Sequence, residues 1–125
     1  MNQQDVFDRV AKHLLTQKKR AVDEGDECQY QAPDGCQCAI GCLIKPGQYK
    51  GVFEGREIKS LIRGLIQNGV KISDIFYFDI EEYGEFSFLR NLQNIHDDLE
   101  ISTWKDALEK FGQRYNLDTA VLNAF

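Results

Sequence analysis

Val6, Phe7, Val10, Ala11, Leu14 and Leu15 recur at intervals that put them on one stripe of an α-helix, with polar residues between them. The pattern predicts a helix over residues 3–20, capped by Asn2 with Asp5 three positions on. Cys28, Tyr30 and Ala32 then alternate with Gln29 and Gln31, the period of a half-buried strand. Ala32-Pro33-Asp34-Gly35 has turn chemistry: Pro presets φ, Asp tolerates the tight position and Gly supplies a positive φ. The returning segment, Cys36 to Ile40, either pairs back on the first strand or leads into a short helix through Ile44, and Pro46-Gly47 ends it. Ile58, Leu61, Ile62, Leu65 and Ile66 mark a second helix, stopped by Asn68-Gly69. Residues 73–78 read as one or two helical turns. Phe88, Leu89, Leu92, Ile95, His96 and Leu99 give a helix over 86–99. Ser102 or Thr103 caps another, with Trp104, Ala107, Leu108 and Phe111 facing inward, and Asp118 caps a short last helix. The fold expected is α+β and predominantly α-helical, with four to five helices packed around a small β-hairpin, in a single domain spanning residues 1–125.

Composition narrows the partners. With 42% hydrophobic and 11% aromatic residues, a chain of 125 residues can bury a core without a disulfide or a metal. The net charge of −5 and pI near 5.0 disfavour nucleic acid and anionic membranes, which require a basic face. Lys18-Lys19-Arg20 is the one basic cluster and reads as a solvated helix end. The first six residues carry no apolar signal core, and no apolar run is long enough to span a bilayer. A cytoplasmic protein with reduced cysteines is the expectation.

The candidate chemistry is sparse. Cys28, Cys36, Cys38 and Cys42 offer four thiols within fifteen residues, a possible zinc set. Their gaps of seven, one and three residues do not match the two-residue gap of structural zinc sites, so buried thiols and no bound metal or cofactor are expected. Cys38 after the tight turn, with His96 as base and Asp97 beside it, forms an alternative nucleophile site. His96 sits on an apolar stripe, which favours a core residue held by the hairpin backbone or Tyr30. The hairpin is expected to pack on the 86–99 helix, bringing Tyr30 or Cys38 near His96. The acidic loop Asp23 to Glu27 lacks the later ligands of a calcium loop. Further acidic residues gather around Glu81 and Glu82 and again at Asp97 and Asp98, a surface suited to a partner protein with a basic face.

Cys28-Gln29-Tyr30, Pro33-Asp34-Gly35, Cys38-Ala39-Ile40-Gly41-Cys42-Leu43-Ile44, Tyr49, Glu54-Gly55 and Leu92-Gln93-Asn94-Ile95-His96-Asp97 occur in this order. The series resembles an uncharacterised group of small proteins from phages, prophages and plasmids, over about residues 21–97. Cys36 falls where that group need not have a cysteine. The resemblance implies a setting rather than a chemistry: an accessory protein of a mobile element, acting in the bacterial cytoplasm as a non-enzymatic inhibitor or modulator of a host protein.

Overall fold

The computed structural model describes residues 1–79 and 86–125. The first helix, α1 (Gln3–Gln17), starts where its cap predicts. Asn2 Oδ1 accepts from Asp5 N–H, and Asp5 accepts in return from Asn2 N–H, which satisfies two amides that a helix start leaves without partners. Its six apolar stripe residues are all buried. The helix stops three residues earlier than its periodicity suggests, because Lys18 turns into the left-handed region at φ 50° and its N–H closes on Leu14. Among the described residues four further helices follow: α2 (Ile58–Gln67), α3 (Ile72–Ile75), α4 (Ser87–Asp98) and α5 (Trp104–Arg114). Short 3₁₀ turns lie at Gly41–Leu43, Gly51–Phe53, Ile101–Thr103 and Ala120–Ala124.

The expected β-hairpin is absent, and the described residues form an all-α structure with no strand. Only isolated bridges join Val22 to Cys28, Gln31 to Gln37 and Ile44 to Phe76. The alternation at residues 28–32 is real, since Tyr30 and Ala32 are buried and Gln29 and Gln31 less so. Ala32 N–H pairs with the return at Cys36 O, but the amides just before it go elsewhere. Tyr30 N–H and Gln31 N–H donate at 2.7 and 3.1 Å to the two carboxylate oxygens of Glu54, so a side chain stands where a strand would continue. On the return, Cys38 N–H reaches Tyr30 O, and the chain then curls at once into the Gly41–Leu43 turn. Gly41 makes that curl possible: a Cβ there would lie 1.8 Å from the Tyr30 carbonyl oxygen.

Buried side chains from Val6 to Leu122 belong to one apolar cluster. α1 packs on α5 and on the Gly41–Leu43 and Ala120–Ala124 turns, and α4 packs on α5. Phe7 stacks on Phe111 at 6.0 Å, and Phe88 meets Phe111 edge-on at 5.2 Å. Thr103 does not cap α5 as expected. Its hydroxyl donates to the Glu100 carbonyl instead, because a 3₁₀ turn over Ile101–Thr103 leads straight into the helix. No helix among the described residues is long and apolar enough to cross a membrane.

Candidate functional site

α4 presents Gln93, His96 and Asp97 toward the irregular chain between α1 and α2. The apolar stripe of Phe88, Leu89, Leu92 and Ile95 is buried, which turns this polar group toward the loops. His96 is fully buried. Its Nε2 lies 2.9 Å from the backbone nitrogen of Ala21. A backbone N–H can only donate, so Nε2 is the unprotonated nitrogen and Nδ1 carries the hydrogen. Nδ1–H then donates to Asp97 Oδ1 at 2.7 Å. The ring stacks on Trp104 with centroids 5.6 Å apart.

Asp97 is the hub. Besides His96 it accepts from Gln93 Nε2 at 2.8 Å, and the Cys28 thiol lies beside it. Gln93 turns its other end to the irregular chain, accepting from Ile40 N–H at 2.9 Å. The ligand atoms of Cys28, His96 and Asp97 all lie within 4.8 Å of one another. Burial pushes the Cys28 thiol up to about 11, and the Asp97 charge and hydrogen bond push the same way, against Arg20.

Cys28 and Asp97 line a cleft of about 360 Å³ bounded by residues 27–30, residues 54–58 and the Arg90, Gln93 and Asn94 side of α4. Its polar groups are largely committed. Glu54 accepts from Tyr30 N–H, Gln31 N–H and the Tyr49 hydroxyl, and the Tyr30 hydroxyl donates to the Arg56 carbonyl. Arg90 reaches Glu57 at 3.4 Å. Asn94 is exposed at the edge.

The structure places the sequence candidates differently from their expected grouping. Cys28, not Cys38, supplies the thiol beside His96 and Asp97. Cys38 is fully buried, its sulfur accepting from Gly41 N–H at 3.2 Å, and burial holds its thiol well above the ordinary range. Cys42 donates to the Ala39 carbonyl and is pushed up to about 12 by burial. Cys36 sits by the exposed Lys19–Asp34 ion pair, and burial is the first cause that raises it. The four sulfurs therefore form no common ligand set among the described residues. Of the acidic docking candidates, Asp98 is exposed and Asp97 is turned into the network with 28% of its side chain accessible, whereas Glu81 and Glu82 lie outside the described residues. Tyr30 anchors to Arg56 and Glu54 rather than to His96, whose partner is the Ala21 amide.

In this arrangement both ring nitrogens of His96 are committed. Taking the Cys28 proton would require a free ring lone pair, whereas Nδ1 carries the ring hydrogen and the Nε2 lone pair accepts from Ala21 N–H. The high thiol agrees. No family model matches the chain, and no curated protein or solved structure is significantly similar to it.

Proposed function

We propose that this protein acts by binding rather than by catalysis, with the cleft beside Cys28 and Asp97 as its recognition site. The observation that carries the reading is the hydrogen-bond network of Ala21, His96, Asp97, Gln93 and Ile40. It commits the groups that catalysis would need and positions the side chains at the cleft floor. Preformed polar walls of this kind favour recognition, because little side-chain freedom is lost when a partner enters. The resemblance to mobile-element proteins and the charge of −5 support a host protein with a basic surface as the partner. Asp98 and the exposed Glu27 and Glu57 supply acidic groups close to the cleft.

Asn94→Trp tests the reading. The side chain is exposed at the cleft edge, so the change blocks entry and leaves the core alone. Host proteins captured by the parent from bacterial lysate are expected to be lost with the variant. Equal capture by both proteins would remove the cleft as the recognition site.

A further inference from the structure

We propose that Cys28 Sγ, His96 Nδ1 and Asp97 Oδ1 together form a binding site for one divalent ion of the zinc–cobalt class. The inference rests on the reading of the cleft as a binding site and names an ion that it takes. Three observations converge on it. The donors are a thiol, an imidazole and a carboxylate, a combination that suits zinc and cobalt and not the all-oxygen shells of magnesium or calcium. One ligand atom from each residue lies within 4.8 Å of the others, His96 Nδ1 already stands 2.7 Å from Asp97 Oδ1, and donors bound to one zinc stand roughly 3.5 Å apart, so a modest side-chain rotation closes the set. Cys28 and Asp97 line the cleft, which gives the ion a route in and leaves its fourth position for water or a partner's donor.

Proton accounting sets the strength of the site. The Cys28 thiol proton leaves to solvent. The imidazole stays neutral, so as the ion takes Nδ1 the ring hydrogen moves to Nε2. There it faces Ala21 N–H, and that amide must turn away. Losing this bond weakens binding about tenfold. Complete four-ligand zinc sites reach roughly nanomolar affinity or better. One ligand fewer and this lost hydrogen bond together leave an affinity on the order of micromolar. Ion binding is thereby coupled to release of the Ala21 amide.

The test uses the full-length protein stripped with a chelator and titrated with cobalt(II). One equivalent is expected to produce a thiolate-to-cobalt charge-transfer band and the intense visible bands of a four-coordinate ion, both displaced by zinc. Cys28→Ser should lose the charge-transfer band, and Cys36→Ser should keep it. In the parent protein, nitrogen-15 spectra should show the His96 hydrogen moving from Nδ1 to Nε2 on zinc addition, with faster exchange at the Ala21 amide. No band at a hundredfold excess of cobalt overturns the site. So does a band that survives Cys28→Ser, or a His96 tautomer unchanged at saturating zinc. The tautomer measurement needs no variant, so a misfolded Cys28→Ser leaves the site falsifiable. If the ion fails to bind while Asn94→Trp still abolishes capture, only the ion is lost. If capture is also unaffected, the cleft reading falls with it.

Discussion

His96 and Gly41 show how far single side chains determine this molecule. His96→Ala removes the acceptor of the Ala21 amide, a donor to Asp97 and the ring stacked on Trp104. A loss of about 3 kcal/mol is expected in urea unfolding, more than one hydrogen bond alone would give. Asp98→Ser, one turn-face away and exposed, should leave the melt nearly unchanged. Gly41→Ala places a methyl 1.8 Å from the Tyr30 carbonyl oxygen, a backbone atom with no freedom to swing aside. A destabilisation of about 3 kcal/mol or more is expected, and a thermal melt as high as the parent's would refute the close approach. Burial of this kind also sorts the thiols. Cys36 should react with a thiol reagent in the native state, while Cys38 and Cys42 should react only as fast as the protein opens.

Helices were legible because their signals are local. The stripe of α1, its Asn2–Asp5 cap and the stripe of α4 are each readable within about two turns of sequence. The hairpin was misread because what prevents it is not local. Glu54, more than twenty residues beyond Tyr30, takes the amides that a strand partner would have taken. The same limit explains the choice of Cys38 over Cys28. Both lie near Gln93 and Asp97, but only the tertiary path shows which thiol faces His96. Gln93 had a local signal, standing four residues before Asp97 on one helix face. Within α1, His13 donates from Nε2 to the Gln37 carbonyl at 2.9 Å, and burial lowers its pKa from the ordinary 6.5. The folded protein thus holds fewer protons than the unfolded chain just below pH 6.5. Stability is full above that pH and falls as the solution is acidified through the lowered value. Urea melts from pH 7.5 to 5 should show this slope in the parent and a shallower one in His13→Gln.

At the scale of the whole molecule, the polar network ties together parts that are distant along the chain. Ala21 N–H meets His96 across 75 residues, and Gln4 exchanges hydrogen bonds with Asp118 across 114. This wiring bears on synthesis. A nascent chain that has not yet delivered α4 lacks the acceptors for the amides of Ala21 and Ile40, although Glu54 and α1 already serve other groups of the same stretch. Completion of this stretch therefore waits on α4. Contacts this far apart fold late, after a large loop has been closed. The waiting interval, with Cys28, Cys36, Cys38 and Cys42 all accessible, is when the chain is most open to proteases and oxidants.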